Sequence, residues 1–332
     1  MMKIAIQVTT CDIPEQDLKL MSQLGVDCLD LVIGSMFPGV DEQGYPDLDR
    51  LLKLRARIRS WGMDINRVTL PDMTHAFMYD SDGAERELDN VCAAMKVFGE
   101  ARMPIARLRF AGDVIPESTH IYKAVHRGGA IARGERAADQ AGRNVPSLEE
   151  TERWWGKFRT VYEKLVPIAE QYGTKLTIHP SDTPHPGTPF DGIGMHRVID
   201  MFPSRQVGLV YCVGTRAEAG GSALVLDEIH QFGRKGRIFL VHLRNVRGSL
   251  ATAAAFEEAM LDDGDLNMPK ILLALRKVGF DGCINPDHML QLEEGYPREA
   301  HPNGGWRNNR AGWSYSIGYL KGLFAAMDEF AG

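Results

Sequence analysis

The stretch Lys175-Leu-Thr-Ile-His-Pro-Ser-Asp-Thr-Pro-His-Pro186 reads as a short apolar strand that ends in His179 and a proline-rich loop. Parallel α/β proteins place their chemistry at the C-terminal ends of strands, where the following loops converge. Three later stretches repeat the pattern. Leu209-Val210-Tyr211 runs into Cys212, Phe239-Leu240-Val241 into His242, and Cys283-Ile284-Asn285-Pro286 into Asp287, with His288 next to it. Singly, each is a residue that a core can absorb. Together, nitrogen, sulfur, nitrogen and oxygen donors at the same end of four successive strands point to a metal centre. A thiolate, two imidazoles and a carboxylate suit Mn2+, Fe2+, Co2+ or Zn2+ better than Ca2+.

Outward from these strands the chain alternates. Strands are expected at 3–8, 28–34, 63–70, 104–110, 175–180, 207–213, 237–246 and 282–287. Helices are expected at 15–25, 47–62, 84–102, 148–173, 194–202, 222–235, 267–279 and 314–330. Ser147-Leu-Glu-Glu150 is a capping-box pattern, and Gly173 stops the helix it opens. Eight strand–helix pairs and no glycine-rich dinucleotide motif after the first strand predict a closed (β/α)8 TIM barrel, a single domain over 1–332. Three loops at the strands' C-terminal ends are long: 35–46, 111–146 and 288–313. The insertion at 111–146 is read either as a lid or oligomer contact, or as a weakly ordered excursion.

The chain has 332 residues, 44% hydrophobic and 25% charged, enough for a large core, and a net charge of −6. That charge gives no general attraction to nucleic acid or to an anionic membrane. No apolar run is long enough to span a bilayer, and the chain opens directly on strand-like Lys3–Val8, so neither a membrane nor a signal peptide is expected. Five cysteines without a CxxC pair argue for a reduced, cytoplasmic setting.

Other groups flank the four donors. His288 is a candidate general acid or base, or a hydrogen-bond partner behind the metal ligands. Arg244 lies two residues past His242, on the same strand face. It could grip a carboxylate or serve as a structural ion pair. Asn245 could contact substrate or orient a loop, Asp182 could support His179, and Arg107 and Arg109 could bring positive charge to the mouth. A metal here would act as a Lewis acid on a chelating hydroxy acid.

In order along the chain, His179-Pro-Ser-Asp-Thr-Pro, Cys212-Val-Gly, Val241-His-Leu-Arg-Asn-Val246, Asp263-Gly-Asp-Leu-Asn-Met268 and Gly279-Phe-Asp-Gly…Pro286-Asp-His288 resemble the mannonate dehydratase family, within the xylose-isomerase-like barrel superfamily. The resemblance runs from about residue 84 to the end. It implies a divalent metal, most often Mn2+ or Fe2+ with Co2+, Mg2+ or Zn2+ as alternatives, on His179, Cys212, His242 and Asp287. It also implies dehydration of D-mannonate to a 2-keto-3-deoxy acid, a catalytic histidine at His288, and a homo-oligomer. The chain departs from the pattern in places. The family's first-strand Arg-Trp reads Gln7-Val8-Thr9-Thr10, a histidine near Phe256-Glu257-Glu258 is replaced by acids, and the Gly-Tyr reads Gly312-Trp313. Tyr315 or Tyr296 then stands in as the phenol, and Trp313 is a substrate contact. The resemblance predicts a metal-dependent hydro-lyase acting on a sugar acid. The alternatives are a metal-dependent sugar isomerase or epimerase, which conserves mass, and a silent sugar-acid-binding barrel.

Overall fold

In a computed structural model, which describes residues 2–110, 120–137, 147–181, 187–290, 292 and 310–330, the strands divide into two sheets. In chain order they are β1 (Lys3–Val8), β2 (Cys28–Leu31), β3 (Asp64–Thr69), β4 (Ile105–Arg107), β5 (His120–Val125), β6 (Ile131–Arg136), β7 (Lys175–Ile178), β8 (Val207–Cys212), β9 (Ile238–Leu243), β10 (Asn245–Ser249), β11 (Ala255–Ala259) and β12 (Cys283–Pro286). Eight of them close into a parallel barrel in the order β1-β12-β9-β8-β7-β4-β3-β2. All eight expected strands are there, and the fold is the (β/α)8 barrel.

Side-chain alternation along each strand sets what faces inward. On β1, Ile4, Ile6 and Val8 pack outward with the helices, while Ala5 joins Ile105, Val210, Leu240 and Cys283 in a small cluster that plugs the barrel. The period of two continues past that plug. Cys212 follows the inward Val210, and His242 follows the inward Leu240. The layer above the apolar plug is therefore the one that carries the polar groups.

Side-chain caps open several of the helices, Asp47 at Leu48–Arg59 and Asn267 at Met268–Lys277 among them. Ser147 and Glu150 make the expected capping box on Leu148–Tyr172, which ends on Gly173 in the left-handed region (φ 71°). One helix departs from expectation. Val213–Arg234 begins at the end of β8, nine residues before the expected 222, and bends at Gly221. Gly221, in the left-handed region at φ 72°, marks a kink inside this longer helix.

The second sheet is the main feature that sequence reading did not anticipate. β10, β11, β6 and β5 pair antiparallel in that order. Half of the 111–146 insertion thus forms a hairpin that pairs its β6 with β11, and 111–119 and 138–146 lie outside the described residues. The expected single strand 237–246 divides at Arg244 into β9 of the barrel and β10 of the second sheet. Asn245 makes that junction rigid. Its amide donates to the carbonyls of Leu261 (2.9 Å) and Leu266 (3.1 Å), and its oxygen accepts from the backbone of Val246 and Leu266. Gly264 packs so close that a Cβ there would meet the Asn245 oxygen at 2.2 Å. Among the described residues, no helix is long and apolar enough to cross a membrane.

Candidate metal centre

The barrel brings His179, Cys212, His242 and Asp287 together: one donor atom from each lies within 4.8 Å of the others. His179 Nε2 is 3.1 Å from His242 Nδ1, and that nitrogen is 3.3 Å from Asp287 Oδ2. Metal–ligand bonds of about 2.0–2.3 Å at right angles would set neighbouring donors about 3 Å apart. The spacing fits an ion. So does the chemistry of the donors.

Local structure prepares each donor. Cys212 is the N-cap of Val213–Arg234, and its sulfur accepts from the Thr215 hydroxyl (3.1 Å) and backbone N–H (3.5 Å). The amino end of a helix favours negative charge on that sulfur. Burial holds His242 below the usual imidazole range despite the opposing pull of Asp287, so it stays neutral, as a ligand must. Burial resists ionisation of Asp287, but His288, His242 and Arg244 outweigh it and hold the carboxyl well below the usual range. Gln7, inward on β1, donates to the other Asp287 oxygen at 2.5 Å.

His288 sits beside this cluster in the left-handed backbone region (φ 48°), a conformation that a non-glycine residue rarely adopts and that aims its ring. Its Nδ1 lies 2.5 Å from Glu258 Oε1, and its Nε2 lies 3.5 Å from Asp287 Oδ2. Glu258 is buried, which alone would raise its pKa, but Arg133, His288 and Arg244 pull it below the usual range. An ionised Glu258 can only accept. It therefore fixes the proton of His288 on Nδ1 and leaves Nε2 as the basic nitrogen.

Arg244 is deeply buried and committed to protein acids. It donates to Glu218, to Glu258 at 2.8 Å and to the Thr215 hydroxyl at 2.8 Å. The structural-ion-pair alternative describes it, and the substrate-carboxylate reading is corrected on that ground. Asn245 likewise orients a loop rather than facing substrate. Trp313 is corrected too: at 1% exposure it belongs to the hydrophobic core. Tyr315, two residues on and so on another face of the helix, does reach the cleft beside Asp287 and His288. It lines that cleft with Arg244, Asp287 and His288. Its hydroxyl donates to the carboxylate of Asp262 and accepts from the Asp262 backbone N–H at 3.2 Å. Burial first, and Asp262 next, raise its pKa, so the phenol keeps its proton. Arg109 is partly exposed and 4.0 Å from Asp72. Asp182, Tyr296 and the 293–309 part of the third loop lie outside the described residues.

Sequence reasoning missed Glu258, Glu218 and Arg133. Arg133, on the inserted hairpin, is 3.0 Å from Glu258 and 3.3 Å from Glu218. Gln7 did leave a signal, as a buried polar residue that shares the parity of the inward Ala5.

Comparisons with known proteins bear on the family and the fold. A family model described as D-mannonate dehydratase matches residues 143–331. A mannonate dehydratase of Lactococcus lactis subsp. cremoris is 30% identical over 179 residues, 52% of this chain and 48% of that protein. The chain spans about half the length of the curated relatives it matches. A crystal structure of mannonate dehydratase from Streptococcus suis serotype 2 superposes with a TM-score of 0.79 at 19% identity, covering 100% of this chain and 96% of that one. A xylose isomerase domain protein from Planctomyces limnophilus gives 0.61 at 11% identity, covering 99% and 98%. The two superpositions speak for the barrel. The family match takes in the four donors and His288 in a single run from 143 to 331, more than half of the chain, and by it the protein belongs to the D-mannonate dehydratase family.

Proposed function

We propose that the protein is a metal-dependent hydro-lyase that removes water from a sugar acid of the D-mannonate type, giving a 2-keto-3-deoxy acid. The observation that carries this reading is the His288–Glu258 contact of 2.5 Å placed beside four clustered metal-competent donors. His179, Cys212, His242 and Asp287 would hold a divalent ion, Mn2+ first among the candidates. When bound, the ion supplies Lewis-acid stabilisation of the negative charge that forms when the carbon next to a carboxylate loses its proton.

The rest is the work of the chain. The Nε2 lone pair of His288 takes the proton from the carbon beside the carboxylate, while Glu258 steadies the imidazolium through Nδ1. The electron pair left on carbon forms a double bond to the neighbouring carbon as that carbon's hydroxyl departs. A proton must join the departing hydroxyl, and Tyr315 is the protonated phenol that lines the same cleft. The resulting enol becomes the keto acid. The proposal extends to self-association and to a reducing, cytoplasmic setting, which suits the five free cysteines.

The test is a mass-resolved product assay. Loss of one water from D-mannonate supports the reading, and conversion without a change of mass points to an isomerase or epimerase.

A further inference from the structure

Arg67, on β3, is the least accommodated charge in the described protein. Its side chain is completely buried, and Nε and both terminal nitrogens find no hydrogen-bond partner among the described residues. A guanidinium cannot shed its proton to escape such a place. The strand register sets it in one row with Gln7 and Asp30 across β1, β2 and β3. This is the row from which Gln7 reaches Asp287 at 2.5 Å.

Two carboxylates share the neighbourhood and act on Arg67 electrostatically, Asp30 and Asp287. Neither makes a hydrogen bond to it, and both accept from other groups. Asp30 accepts from Asn66 at 2.8 Å through one oxygen and from Asn285 at 2.5 Å through the other. Asp287 is shared between Gln7 and His242. Asp30 is thus held by neutral amides, and Asp287 by an amide, by imidazoles and by Arg244, while Arg67 has no hydrogen-bond partner among the described residues. Buried charges are paired in stable proteins unless a ligand completes them. Arg109, whose charge also acts on Arg67, stands partly exposed on the same side of the barrel.

We propose that Arg67 binds the carboxylate of the acid substrate through two parallel N–H···O bonds from inside the barrel mouth. The inference rests on the reading of the substrate as a sugar acid. It replaces Arg244, whose charge is spent on Glu218 and Glu258, as the anion anchor. With the carboxylate held there, the adjacent carbon faces the metal donors and His288 in the layer above.

The experiment is calorimetric titration of D-mannonate into the Mn2+-loaded parent, Arg67→Gln and Arg67→Lys, with bound Mn2+ and Tm recorded for each. Two charge-assisted bonds set the expected loss at about 10- to 100-fold in affinity for Arg67→Gln, with Arg67→Lys intermediate. Metal content is expected to stay at the parent level, and Tm not to fall, because the variant removes an unpaired buried charge. A purely structural arginine would instead lower Tm. D-mannonate affinity within twofold of the parent in Arg67→Gln, a fall in Tm with loss of metal in both variants, or no D-mannonate binding by the parent would each overturn the inference. Arg67-dependent binding without release of water would leave the anchor standing and remove the hydro-lyase reading.

Discussion

Glu258 lies 2.5 Å from His288, and the two come from different sheets: Glu258 from β11 of the second sheet, His288 from the end of β12 in the barrel. The residue proposed as base is thus oriented by an element outside the barrel. The inserted hairpin completes the arrangement, because its Arg133 lies 3.0 Å from Glu258 and keeps it charged.

That contact makes Glu258→Gln informative. The amide can offer its N–H to the imidazole and no longer selects the tautomer. We expect kcat to fall about 10- to 100-fold with little change in KM, since a positioned acid–base group contributes about that much or more. His288→Asn should fall further, by about 100-fold or more. Steady-state kinetics with metal analysis checks both, and bound Mn2+ should match the parent.

Arg133→Met tests the part played by the insertion. It leaves two buried acids, Glu258 and Glu218, to share Arg244, and one cation shared by two buried carboxylates should cost about 1–3 kcal/mol. The expected outcome is a lower denaturation midpoint together with reduced kcat. A variant of parental stability would mean that the hairpin is only a cover.

Trp313 separates core from site. Trp313→Ala should destabilise by about 3–5 kcal/mol as a large core truncation, and Trp313→Phe by much less. Neither should change KM for the acid. A KM effect in the Phe variant, measured by titration of initial rates, would return this residue to the substrate.

Asp64 provides a pH test away from the site. Burial opposes its ionisation, but hydrogen bonds from Arg55 and Arg59 dominate and lower its pKa. A depressed carboxylate adds stability that is fully present above its unfolded pKa of about 3.9. That stability is lost as the pH falls through the folded value. Asp64→Asn should therefore lower Tm at neutral pH, with the gap to the parent shrinking steadily below about pH 4. A gap constant down to acid pH would contradict this.

The later barrel strands were legible because Leu209–Tyr211 and Phe239–Val241 are apolar runs that end in the polar exceptions Cys212 and His242. Cys212 and His242 could be placed by parity alone from Val210 and Leu240. The second sheet was not legible. Its strands, such as Ile131–Arg136 and Ala255–Ala259, carry Arg133, Glu135 and Glu258, which resemble a solvated surface until partners distant in sequence bury them. Arg244 shows the same limit. Its inward direction followed from His242, but its commitment to Glu218 and Glu258 depends on two segments that only the fold brings together. Arg67 escaped notice because a register shift in the pairing of β2 and β3, between Leu29 and Asp30, sets it opposite Asp30.

The central claim is that the four-donor cluster serves dehydration of a sugar acid. The most direct measurement is a product-mass assay on D-mannonate, with metal-stripped protein, Mn2+ returned, and Asp287→Ala and His242→Ala alongside. The account predicts loss of one water only when Mn2+ is present, and metal affinity in both variants reduced by more than about 100-fold. Parental metal binding in both variants, or water loss that persists without any metal, would contradict it.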